Sequence, residues 1–333
     1  MSPHRRDVLE FAATTLAMAT MATAGVTGTT VDARAEANDE LPAYSDWLTI
    51  DDDGLEFTFV DWTALEGYVE DELEGVGADE GADIPEAYED DPMIVLPSDG
   101  LLSAYLFVGL GLVQYRLARL LEDDAFDSSV DGLLQIGEAF VVTGTIEPEE
   151  IDDQLTAEPE AGFIRRMEQT DEIGEYAVYT PVDDDDETAI AVGSEALVIV
   201  DAEEAQAGGA DPSTVLETTI GAAEGDVERA IDDSETLEWL LETAGNGDVV
   251  VGLYGDSIDV DDYETLEALA DADGLVSSLT VEDEQTSTGD FAAVIDDPDE
   301  DVLESVLGAS ADEQSVDVDG DRVTATATWR EPN

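Results

Sequence analysis

The chain contains no cysteine, no lysine and a single histidine among its 333 residues. That histidine is His4, so beyond residue 35 there is no imidazole, thiol or amine side chain. Ser-His-Asp and Cys-His nucleophiles, Schiff-base lysines, zinc sites with nitrogen or sulfur ligands and the lysine of phosphate loops each need one of those groups. Carboxylates, hydroxyls and Arg are left for any chemistry, and no cofactor is expected. A lipid anchor on cysteine is excluded too.

Positive charge is equally scarce. Ten Arg stand against 86 acidic residues, for a formal net charge of -76. Hydrophobic residues still make up 43% of the chain and fall in periodic runs, which predicts a folded body rather than a disordered one. Such a charge is tolerable in brine, because at molar salt the Debye length is only about 3 Å. In dilute buffer the same carboxylates push the compact state apart. Nucleic acid is excluded as a partner because phosphate binding needs clustered cations. An anionic membrane surface is disfavoured on the same ground. Loosely bound cations and neutral or cationic ligands remain, with the ligand or protein partner open.

The first residues carry their own signal. Arg5 and Arg6, then Val8-Leu9 and a mildly apolar Ala-, Thr- and Met-rich run from Phe11 to Val31, look like a twin-arginine export signal. His4 before the pair and Glu10 depart from that pattern. Ala22-Thr23-Ala24 and Ala33-Arg34-Ala35 are A-x-A cleavage sites. Residues 1–35 are read as the signal, 36–43 as a linker and 44–333 as an acidic body with a subdivision near 225. The signal holds three Arg and three acids, so its removal leaves the net charge unchanged.

The body is organised around residues 139–202. Phe140–Ile146 is a β-branched run, and Glu147-Pro148-Glu149-Glu150 places Pro and acids where a helix starts. Tyr176–Thr180, Ala189–Val192 and Leu197–Val200 follow as a meander. Leu55–Val60 with a helix capped by Thr63 through Leu73, and Val249–Tyr254 with a helix over Asp261–Ala272, repeat the strand-helix step. Three such steps suggest a diverged internal duplication. Between them Ser98 is read as the cap of the apolar stretch Leu101–Leu121, a core helix rather than a membrane span because Arg116 and Arg119 interrupt it. Helices are expected at Asp211–Ala223, Glu235–Ala244 and Asp299–Leu307. A hairpin over Asp319-Gly320 closes the chain. Together these give an α+β fold with antiparallel or mixed sheets and helices on one face.

Candidate sites are few. Asp317, Asp319 and Asp321 resemble the start of a calcium loop, but a Thr stands where the bidentate Glu belongs, so a plain turn is favoured. Asp51–Asp53 and Asp183–Glu187 gather cations loosely at most. Arg165-Arg166 and Arg116 with Arg119 have the donors to bind an anion, though pairing with nearby acids is the simpler use. The four Trp are assigned to cores.

The order of elements around VVTGTIEPEEI, EYAVYTP, AIAVGS and ALVIVDA resembles a group of uncharacterised exported proteins of halophilic archaea. The resemblance covers most of the chain beyond residue 35 and implies no particular activity. The function expected is that of a non-enzymatic extracytoplasmic binding or interaction protein. A carboxylate-dependent hydrolase, for example on polysaccharide, and a cation-dependent adhesion module are the alternatives.

Overall fold

The computed structural model describes residues 41–51, 54–65, 88, 91–122, 125–159, 161–182, 188–200, 211–255, 268–270, 272–283 and 285–330. The export signal, most of the linker, residues 66–73 and 261–267 of the two expected helices and the 183–187 acidic run lie outside them.

Among the described residues twelve strands form one antiparallel sheet. They are β1 (Leu55–Asp61), β2 (Ser129–Ile136), β3 (Ala139–Thr145), β4 (Met167–Ile173), β5 (Tyr176–Pro181), β6 (Ala189–Val192), β7 (Ala196–Val200), β8 (Val249–Tyr254), β9 (Ala272–Asp283), β10 (Thr286–Ile295), β11 (Glu313–Asp319) and β12 (Arg322–Arg330). Their order is β11-β12-β10-β9-β8-β1-β2-β3-β7-β6-β5-β4. The helices are α1 (Pro92–Leu106), α2 (Pro148–Thr156), α3 (Pro212–Glu224), α4 (Ala230–Asp233), α5 (Glu235–Ala244) and α6 (Glu300–Val306).

The strand order resolves the duplication. Read outward from the centre, one half runs β1-β2-β3-β7-β6 and the other β8-β9-β10-β12-β11. In each half a strand leads into a helix whose chain returns as a strand beside it: β3 through α2 to β7, and β10 through α6 to β12. The sequence keeps a trace, since Ile146-Glu-Pro-Glu-Glu-Ile151 and Ile295-Asp-Asp-Pro-Asp-Glu-Asp-Val-Leu303 both set Pro and acids ahead of a buried helix residue. Among the described residues one such step is seen in each half, and the mirrored strand order is that of a duplicated unit. β1 and β8 pair antiparallel at the junction, Val60 opposite Val249 and Leu55 opposite Tyr254, so one sheet runs through both halves.

The α+β class with an antiparallel sheet holds, and helices cover both faces rather than one. Strand alternation shows why. Phe57, Val141, Val198, Val250, Val276 and Ala292 pack with Leu216, Ile220, Leu237, Leu240 and Leu241 of α3 and α5 on a first face. Their neighbours Phe140, Val142, Leu197 and Ile199 turn to the second face, under α1 and α2. Val251, Leu275, Phe291 and Ala293 do likewise under α1 and α6. Nearly continuous apolar strands such as β7 are what two covered faces require.

α1 starts at Pro92, earlier than expected. Asp91 rather than Ser98 is its cap, accepting from Met93 N at 3.1 Å, and Ser98 is an interior position. The missed cue is the acid-Pro pair that also opens α2 at Glu147-Pro148 and α3 at Asp211-Pro212. Pro92–Tyr115 is apolar and long enough to cross a bilayer, yet it lies along the second face with Met93, Leu101, Ala104, Val108, Leu112 and Tyr115 buried. Gly100 sits over the centre of the sheet. A Cβ there would come within 2.6 Å of Val251 and 2.8 Å of Thr58, themselves a cross-strand pair. Asp61 caps the helical turn at 62–65, accepting from Ala64 N at 3.1 Å, where Thr63 was expected to.

Candidate functional site

The first face ends in acids. On β1 the alternation that turns Phe57 and Phe59 toward this face carries Asp61 with them. Asp248 closes the turn from α5 into β8, where its Oδ2 accepts from Val281 N at 2.7 Å. Glu282 lies in a β-bulge between β9 and β10 and accepts from Thr288 Oγ1 at 3.2 Å. Asp290 lies two residues from Ala292 and so shares its face. Further along the same face Tyr44 stacks on Phe59, ring centroids 4.4 Å apart. Tyr44 is held there by donating to the Gly245 carbonyl at 2.9 Å.

Burial is the first cause of raised proton affinity at Asp248 and Asp290. It pushes the Asp248 carboxyl above its ordinary 3.8, the Val281 N–H pulls partly back, and the charges of Asp61 and Glu282 push further up. Asp290 is raised by burial and then by Glu282. These two carboxylates can hold a proton at a pH where exposed ones are ionised, and as anions they attract cations. Among the described residues no three such groups are arranged to hold a metal ion.

The shift at Asp290 has a consequence for stability. The folded state binds this proton more tightly than the unfolded chain does. The stabilisation is therefore full below the ordinary 3.8 and is lost as the pH rises through the raised value. Asp290→Asn is expected to raise Tm at about pH 7, with the gain vanishing near about pH 3. Thermal melts at the two pH values check this, and an equal gain at both would count against it.

The residues singled out from the sequence go elsewhere. Asp317 and Asp319 lie exposed on β11, opposite Thr324 and Arg322, and Asp321 occupies the turn, so the three form the end of an edge hairpin. Among the described residues Arg116 pairs with no acid. Its guanidinium donates to the carbonyls of Gln154, Ala157 and Glu158, closing the C-terminus of α2. Arg229 donates to the Ala222 carbonyl near the end of α3 and pairs with Asp46 at 2.5 Å. Arg119 pairs with Glu122, Arg166 with Glu158 and Arg330 with Glu313. Arg322 lies over the Trp239 ring at 4.5 Å, and Arg165 is engaged as well. Trp62 and Trp329 are buried, whereas Trp47 is only partly so; Tyr44 and Leu48 anchor that first turn instead. The Asp248–Asp290 group was missed because nothing local marks two acids among 86.

No protein-family model and no curated protein matches the chain. Among solved structures it is similar to TP0453. Crystal form I aligns over 87% of this chain and 94% of that one, with 7% identity and a TM-score of 0.47. Crystal form III covers 86% and 93%, with 8% identity and a TM-score of 0.42.

Proposed function

We propose that the protein is exported and acts at the cell exterior, in concentrated salt, as a binding or interaction protein. One observation carries this. Beyond residue 35 the chain has only carboxylates, hydroxyls and Arg to offer, and Arg116, Arg119, Arg166, Arg229, Arg322 and Arg330 are taken up in helix ends, ion pairs and a ring contact. The twin-arginine pattern and the resemblance to exported halophilic proteins support the location. Replacing Arg5 and Arg6 together by Lys is expected to hold the protein inside the cell, as fractionation and immunoblotting would register. Normal export of that variant would contradict the location, and turnover by the processed form would contradict the binding role.

A carboxylate-dependent hydrolase is the second reading, favoured by the raised carboxyls of Asp248 and Asp290 on one face of the sheet. A general acid needs such a raised carboxyl. The binding role is preferred because the Asp248 oxygen is already committed to the Val281 backbone.

A further inference from the structure

The two halves of the sheet end differently. In the first half β6 pairs on its outer side with β5, Ala177 opposite Val192 and Tyr179 opposite Ile190, and β4 follows beyond it. β11 holds the equivalent place in the second half, and among the described residues no strand pairs with its outer side. The extra hairpin also finishes the helix above it. Met167 of β4 is fully buried, and the Tyr179 hydroxyl donates to Asp152 of α2 at 2.9 Å. Over β11 the matching helix α6 leaves Val302 43% exposed, while Val316 and Val318 of the strand beneath are half-buried.

The opposite edge of the sheet is guarded. β4 carries a bulge between Gln169 and Asp171, a usual device against edge pairing. β11 is regular through all seven of its pairs with β12. Its exposed acids point to a particular partner. Glu313, Ser315, Asp317 and Asp319 share the first face, and β12 answers them with Thr328, Thr326, Thr324 and Arg322, while Arg330 pairs with Glu313 at 3.1 Å.

We propose that β11 is an acceptor edge for an antiparallel strand of another protein, one that alternates Thr and Arg with small or β-branched apolar residues. Main-chain hydrogen bonds extend the sheet as in β-strand addition. The apolar residues cover Val302, Val316 and Val318, in the place that β5 fills in the other half. A second copy of the chain fits poorly, because it would set its own acids opposite those of β11. The inference rests on the binding role and names the surface that serves it.

The absence of cysteine allows a direct test on the full chain. A single fluorophore on Ser315→Cys, in about 2 M KCl to screen charge, reports a nine-residue peptide with the sequence of β12, Arg322–Arg330. Saturable binding is expected, weaker by at least about tenfold when Val316→Asp and Val318→Asp are combined. An equal loss is expected when the peptide instead carries Arg322→Glu and Arg330→Glu, a comparison that needs no change to the fold. Absence of saturable binding, or equal affinity for both peptides, would overturn the proposal. So would a dimer in sedimentation that the two Val substitutions abolish, or binding that appears only after residues 1–40 are deleted. None of these outcomes touches the export and turnover assays, so the broader reading stands or falls separately.

Discussion

Replacing Asp91 by Ala is expected to destabilise the protein by roughly 3–5 kcal/mol, the largest effect anticipated for any carboxylate here. Asp91 is 1% exposed. One of its oxygens accepts from Met93 N and Gly308 N, both at 3.1 Å. The other accepts from Ser310 N at 3.0 Å and from the Ser310 hydroxyl at 2.5 Å. That hydroxyl accepts in turn from Trp329 Nε1 at 2.9 Å. A single side chain therefore caps α1 and holds the turn after α6, 217 residues further along. Truncation would strand buried N–H groups at about 1–3 kcal/mol each, partly relieved by water. Asp91→Asn should cost less, since one oxygen survives, although its amide would face donors. Chemical denaturation in about 2 M KCl, followed by Trp fluorescence, measures both. A loss below about 1 kcal/mol for the Ala variant would show that the network is dispensable.

Gly252→Ala should be nearly as damaging. Gly252 pairs with Phe57 across the β1–β8 junction, and an added Cβ would overlap the Phe57 ring. The ring cannot step aside, because it is 1% exposed and lies 5.7 Å from the Tyr44 ring. Overpacking of this kind costs about 1–3 kcal/mol, and more where neighbours are fixed. A Phe57→Leu change should cost stability alone and yet recover part of the loss in combination. If the two losses simply add in a double-mutant cycle, the ring is not the obstacle.

Local chemistry made much of the fold legible in advance. α5 runs from Glu235 to Ala244, where Ser234 accepts from Leu237 N at 3.1 Å, because capping and a 3.6-residue apolar period act within one turn. β5 to β7 and the closing hairpin were equally clear, since turn residues separate their apolar runs. β2 and β4 were missed. β4, at Met167–Ile173, has one buried residue in seven, and its strand form comes from pairing with β5. Edge pairing of that sort leaves no hydrophobic period to see.

The amino-acid order alone settled composition, charge, the excluded chemistries, most helices and strands, and the α+β class, because each depends on side-chain type or on neighbours a few residues apart. Which acids gather at Asp248 and Asp290, what Arg116, Arg229 and Arg322 bind, the strand order of the duplicated unit, and that no strand among the described residues pairs with the outer side of β11 were decided only in three dimensions. Those features depend on strands that meet across long stretches of chain, such as β1 with β8. A carboxylate's proton affinity and an edge's vacancy are set by what folding brings beside them.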